Sequence, residues 1–340
     1  MSLLINAYAT VTNPPMPDFP CQNLLHRNLD DAELTAHLNG FLGYIFNAGD
    51  GKMNARRYAL YRHIQRVKHH FSFAIDDDQF DQFNAWAKQA NVIIYLPDGT
   101  VRNAEMAILQ NPDGSFDPDA TMPYPSEALQ RKAKTEHYLN TLGLTSPTSL
   151  PPVVAESEVI VRSAEEIAHR ALALMITGIQ AQSFLENAPL DPNVLQQRCP
   201  IGYATLSDHE RAFIHSMQPT EQDLNNMSWR YEALSTLEWA INWQAQLPFA
   251  NQICPVADLI DQGMKYNQQQ DQSLSLKPVS ELLDALDLHF RLHWIIRDCE
   301  INDKEIPASI NSGVVHERHY ALNWLTNFEN AAWDDVDTPT

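Results

Sequence analysis

The sequence predicts an α+β protein, with a small N-terminal α+β domain followed by a mostly α-helical C-terminal domain. Three observations carry that expectation. Strand-like and helix-like stretches interleave over residues 1–110. From Ser163 onward every apolar pattern has helical spacing. One stretch in the second half, Ser228–Leu247, is apolar nearly all round, as a helix at the centre of a larger helical domain must be.

Taken in order, Leu3–Val11 reads as a strand stopped by Asn13-Pro14-Pro15. Asp30–Asn47 reads as a helix with Leu34, Leu38, Phe41, Leu42 and Ile45 on one face. Lys52–His70 is the one basic concentration, with Lys52, Arg56, Arg57, Arg62, Arg66 and Lys68 joined by His63, His69 and His70. Phe71, Phe73 and Ile75 alternate like a strand, and a helix containing Phe80, Phe83 and Trp86 follows. Val92–Leu96 and Thr100–Arg102 form a hairpin around Pro97-Asp98-Gly99. Residues 111–152 read as a Pro- and Asp-rich connection with a short helix at Ser126–Leu142, and Thr145–Pro152 is the candidate boundary before an acidic helical domain, 153–340. Asp113, Ser115, Asp117 and Asp119 alternate like calcium ligands, but Pro118 intrudes, the glycine is misplaced and no glutamate closes the loop.

In the helical half, Ser163 with Glu166 and Ser207 with Glu210 fit the capping box. Helices are expected near 163–186, 207–217, 220–226, 228–247, 255–267, 278–300 and 313–328, with a polar loop at Asn267–Gln272 and no solenoid repeat. Ser228 is the expected N-cap of the central helix and Pro248 its expected stop.

Composition is that of a soluble globular protein, 44% hydrophobic and 19% charged. Cys21, Cys199, Cys254 and Cys299 are scattered and read as free thiols. With no secretory leader pattern and no membrane-spanning run, a cytoplasmic location is expected. The net charge of −20 is uneven: residues 1–150 hold 12 Lys and Arg against 16 Asp and Glu, and residues 151–340 hold 11 against 27. A net −16 on the second half repels nucleic acid and anionic membrane and favours a basic protein partner.

Nucleophile-elbow and zinc-helix motifs are missing, and Gly49-Asp50-Gly51-Lys52 lacks the spacing and hydroxyl of a phosphate loop, so no cofactor is expected. Three arrangements hold candidate chemistry. His289 and His293 stand one helical turn apart, with Asp287 and Arg291 paired alongside; a metal there needs a third ligand such as Glu317 or Asp334, and no metal is expected. Arg318 falls on an apolar stripe with Val314, Ala321, Leu322 and Leu325, so it must point inward and be paired, with Glu232 the first-choice partner and Asp287 the second. Arg230 poses the same question. Arg230 and Arg318 among these acids, lined by Trp229, Trp294, Trp324 and Trp333, describe either a structural ion-pair network or an anion pocket.

These residues also carry a resemblance. Trp229-Arg230-Tyr231-Glu232-Ala233-Leu234 with Trp239-Ala240, Asp287 with Arg291 and Trp294, Glu317-Arg318 with Ala321-Leu322-Asn323-Trp324-Leu325, and Trp333-Asp334-Asp335-Val336 resemble the bacterial family called domain of unknown function 4272. The likeness covers about residues 150–340 and includes Leu150-Pro151-Pro152-Val153 and Arg162. Glu238 stands where the family has an apolar residue, and Pro339 where it has an acid. The resemblance implies a helical domain and carries no activity, cofactor or catalytic residue.

The leading expectation is therefore a non-catalytic protein-binding module, immunity- or antitoxin-like, whose acidic face meets a basic partner. If Lys52–His70 forms one exposed face, its docking on the acidic domain of the same or another subunit, as a closed pair of domains or a homodimer, is a further expectation. The rival is an enzyme or small-anion sensor using Arg230, Arg318 and His293.

Overall fold

A computed structural model describes residues 2–269 and 273–340. The chain forms two compact units, one comprising residues up to Leu129 with Val154–Val159, the other Gln130–Val153 with Ile160 onward. The Thr145–Pro152 stretch lies within the second unit.

The first unit is a six-stranded antiparallel sheet, β1 (Leu3–Ala9), β2 (Gln22–Arg27), β3 (His69–Ile75), β4 (Val92–Tyr95), β5 (Val101–Arg102) and β6 (Ile108–Gln110), in the order β2-β3-β1-β4-β5-β6. Helices α1 (Ala32–Asn47), α2 (Ala55–Gln65) and α3 (Phe80–Gln89) accompany it. Strand periodicity divides the core. Ile5, Ala7 and Ala9 face Phe71, Phe73, Phe83 and Trp86, while Tyr8 faces Phe41, Ile45, Leu60 and Ile64. The edge strand β2 is solvent-facing along its length and bulged, which is why it shows no alternation.

The basic run is not one exposed face. Helical spacing carries Arg57, Leu60, His63 and Ile64 inward together on α2, and β3 buries His70. Arg57 donates to the carbonyls of Lys52 and Ala48, and His63 meets the Tyr8 carbonyl at 3.2 Å. In the calcium-like loop, Asp113 accepts from the amide and hydroxyl of Ser115, an ordinary Asx turn.

The second unit takes in α4 (Ser126–Thr141) from Gln130 on, then α5 (Ala164–Leu185), α6 (Pro192–Arg198), α7 (Pro200–Ala204), α8 (Asp208–Ile214), α9 (Glu221–Ala240), α10 (Val256–Gln268), α11 (Val279–Ile301) and α12 (Ser312–Leu325). Both expected capping boxes form, at Ser163 and Ser207. The central pair is α5 and α9, which lie along one another. Gly178 allows the approach, since a methyl group there would sit 2.6 Å from the Tyr231 ring.

The central helix differs at both ends from its expected limits. Thr220, in a capping box with Asp223, starts it, and Ser228 lies inside with its hydroxyl donated back to the Leu224 carbonyl. Left-handed Asn242 (φ 62°) ends it, well before Pro248, so Trp243 leaves the helix and lies 4.8 Å from the Tyr266 ring. Between these ends, Tyr231–Ala240 is buried without interruption. Helices α6 and α7 were unforeseen; each begins with a proline in its first turn. Of the polar loop expected at Asn267–Gln272, Asn267 and Gln268 close α10, and 270–272 lie outside the described residues. Among the described residues no helix is long and apolar enough to cross a membrane.

Candidate functional site

Most of the polar residues singled out above are packing elements. Arg318, 1% exposed, donates through Nε and Nη2 to Glu232 Oε2, both at 3.1 Å, and through Nη1 to the Pro248 carbonyl at 2.5 Å. Glu232 Oε1 accepts the Cys254 amide at 2.5 Å. Both charges are thus buried and paired, with Glu232 as the expected partner. Asp287 grips Arg291 bidentately within α11, at 3.0 Å for each bond, and the guanidinium also reaches Glu136 and the Pro151 carbonyl. Neither member of that pair is exposed.

A third buried pair, Arg170 with Glu210, was missed. The signal was present: Arg170 shares a stripe of α5 with Ile167 and Leu174, the same argument that placed Arg318. Glu210 serves twice, closing the capping box of α8 and meeting Arg170.

The histidines do not converge on a metal. His289 turns Nδ1 to the Ala285 carbonyl in its own helix, at 2.8 Å. His293 Nδ1 pairs with His319 Nδ1 at 3.0 Å, one ring donating and the other accepting. Burial, reinforced by Arg318, holds His289 down to about 4; burial and neighbouring His316 and Arg297 do the same for His293. His319, in the same surroundings, is lowered well below the usual range. Among the described residues no three His, Cys, Asp or Glu side chains are arranged to hold a metal ion.

One candidate pair remains open to solvent. Arg230 of α9 donates through Nη1 to Glu317 Oε2 of α12 at 3.1 Å. The guanidinium lies against the rings of Tyr320 (5.2 Å) and Trp333 (5.9 Å). This pair, with Trp229, Tyr320, His316 and Gly313, lines a cleft of about 360 Å³. A second cleft of about 510 Å³ shares Gly313 and His316 with it and is walled by His293, Arg297 and Glu300. Of the four tryptophans expected to line a pocket, only Trp229 does so. Trp333 backs Arg230 and Arg170, Trp324 meets Trp333 edge-to-face and lies under Arg162, and Trp294 lines neither cleft. Neighbouring residues on a helix point about 100° apart, so Trp294 diverges from cleft-lining His293.

The segment after α12 is strapped down. Tyr320 donates its hydroxyl to the Trp333 carbonyl, Asn323 donates to the Asp337 carbonyl at 2.8 Å, and Arg162 reaches the carbonyls of Trp324 and Ala331. Asp334 accepts the His209 amide in the first turn of α8, at the positive end of that helix.

A model of the domain of unknown function DUF4272 matches residues 131–336. The chain belongs to that family. Comparison with curated proteins and with solved structures gives no match. The matched span coincides closely with the second unit, and the motif residues that carried the resemblance are the ones found in its ion pairs and strapped tail. Within that matched span Trp229, Arg230 and Glu317 line the cleft.

Proposed function

We propose that this DUF4272 protein is a non-catalytic, cytoplasmic binding module whose acidic helical unit docks on a basic protein, in the manner of an immunity protein or antitoxin. The supporting observation is where the charges sit. Of the 11 cations in residues 151–340, Arg170, Arg230, Arg291 and Arg318 are matched one for one by Glu210, Glu317, Asp287 and Glu232. These four pairs take nothing from the negative excess, which over the unit itself, with Arg131, Lys132 and Lys134 included, is 14 Lys and Arg against 26 Asp and Glu; most of the remaining acids are exposed, such as Glu165, Glu186, Asp261 and Glu305. Such a surface speeds encounter with a cationic partner and disfavours anionic ones. Catalysis is the weaker reading, because the candidate groups Glu232, Asp287 and Glu317 are neutralised in pairs and His289 and His293 are buried. A different protein suits the surface better than a second copy, since the Lys52–His70 cations are partly buried.

Capture from the native host with the full chain as bait tests this. The expected result is a basic protein retained at low salt and released as salt rises, with retention lost in a variant carrying Glu165→Lys and Asp261→Lys. Recovery of an acidic partner, salt-insensitive binding, or no partner at either salt overturns the proposal.

A further inference from the structure

The open pair Arg230–Glu317 presents two opposite charges side by side. Arg230 uses Nη1 on Glu317 Oε2; its Nη2 makes no hydrogen bond among the described residues, and neither does Glu317 Oε1. Arg230 and Glu317, each with a polar atom left unengaged by their mutual bond, line the cleft side by side. A simple anion is disfavoured, since Glu317 cancels the cation that would attract it and the whole unit is acidic. A simple cation is disfavoured by Arg230. The complementary ligand carries both charges close together. We propose that the cleft binds a zwitterion of amino-acid size, its carboxylate on Arg230, its ammonium on Glu317, and its side chain against Trp229.

The cleft is shaped for such a group. Its volume, about 360 Å³, lies at the lower end of small-ligand pockets. Gly313, in the first turn of α12, is what lets the Trp229 ring form the wall: a methyl group there would lie 2.6–2.9 Å from the ring carbons. Tyr320 has its hydroxyl committed to the Trp333 carbonyl and offers its ring as a fixed backing for Arg230. His316, exposed at the rim shared by the two clefts, is free to contact the ligand's side chain. The inference is independent of the basic-partner proposal, which concerns the outer surface.

Titration calorimetry and tryptophan fluorescence of the full chain against the free amino acids test it. One or more zwitterions are expected to bind, with the N-acetyl and the carboxamide derivatives of the same compound each weaker by roughly tenfold or more, the loss of one charge-assisted contact. These derivatives probe the unaltered protein, so the test does not depend on a variant folding. Gly313→Ala, which displaces Trp229, is expected to abolish binding, and Arg230→Met and Glu317→Gln to weaken it comparably to the matching blocked ligand. No binding by any amino acid at millimolar concentration, or equal binding by the blocked forms, overturns the proposal.

Discussion

Helices α9 and α12 are joined by two ion pairs of opposite sense. Glu232 of α9 meets Arg318 of α12, and two residues earlier Arg230 of α9 meets Glu317 of α12. The residues are near neighbours, yet the pairs differ in completeness. In the inner pair both Glu232 oxygens and all three guanidinium nitrogens of Arg318 are engaged, and both residues are almost wholly buried. In the outer pair Glu317 Oε1 and Arg230 Nη2 carry no hydrogen bond among the described residues, Arg230 Nε is buried without a partner, and both residues line a cleft. The crossed arrangement fixes the register of the two helices, because sliding either by one turn would bring unpaired charges into the core. Completeness separates the roles: a pair with no free valence holds structure, and a pair with free valence can hold something else.

The largest expected effect breaks the inner pair. Arg318→Met strands Glu232 as a buried charge and removes the donor to the Pro248 carbonyl, costing about 3–5 kcal/mol in chemical denaturation. Adding Glu232→Leu is expected to restore much of that loss, less the Cys254 amide bond. If the single variant keeps full stability, the assignment of this pair to structure is wrong.

A second comparison lies along α9 itself, between paired Glu232 and unpaired Glu238. Glu238 is fully buried, its only hydrogen bond comes from Gln244 at 3.0 Å, and Oε1 has no partner among the described residues. Burial pushes its carboxyl from 4.5 up to about 8. Between those values the native state keeps a proton that the unfolded chain has released, so stability falls as pH rises from 4.5 to 8 and is level above. Glu238→Gln, an isostere that cannot ionise, is expected to add about 2–4 kcal/mol at pH 8 and almost nothing near pH 4. A pH-independent difference between the two proteins would show that Glu238 is charged in the native state.

How much of this was legible in the sequence follows from which contacts are periodic. The Arg318 stripe was readable because a helix places residues three and four apart on one face, and Glu232 followed as an acid on the facing helix. The inner limits of α9 were not readable from propensity. Ser228 resembles a cap wherever it stands, and only the Thr220 box upstream and the left-handed Asn242 downstream decide the ends. Strands β2 and β6 are short, and β2 is exposed along its whole length, so neither left an alternating pattern to find. The cleft was half readable: Arg230, Glu317 and Trp229 were all singled out, but Gly313 was not, because its role lies in the space it leaves for a ring far away in sequence.

A buried histidine beside the inner pair, His289, supplies a third case. Burial and the Arg318 charge hold His289 down to about 4, against 6.5 in the unfolded chain. Below pH 6.5 the unfolded chain takes up a proton that the native state refuses, so this group's contribution to stability is lost as pH falls from 6.5 to 4. Its share is about 1.4 kcal/mol per pH unit in that window. His289→Gln, which can keep a bond to the Ala285 carbonyl, is expected to flatten the acid limb of the stability curve by that slope. An acid limb of unchanged slope would show that His289 takes up its proton in the native state as it does in the unfolded chain.

The smallest expected change in stability is the one that most sharpens the opening comparison. Arg230→Met leaves Glu317 with a free oxygen already at the cleft wall, where water can solvate the carboxylate once the cation is gone. The lost hydrogen bond and ring contacts are offset in part by that hydration, and by release of an Nε that is buried without a partner. The expected cost is about 1 kcal/mol, well below that of Arg318→Met. The two variants measured side by side under one denaturant protocol decide the matter. A cost for Arg230→Met as large as for Arg318→Met would mean that water does not reach Glu317. The outer pair would then be a second structural lock, and the cleft would have no free charges to offer a ligand.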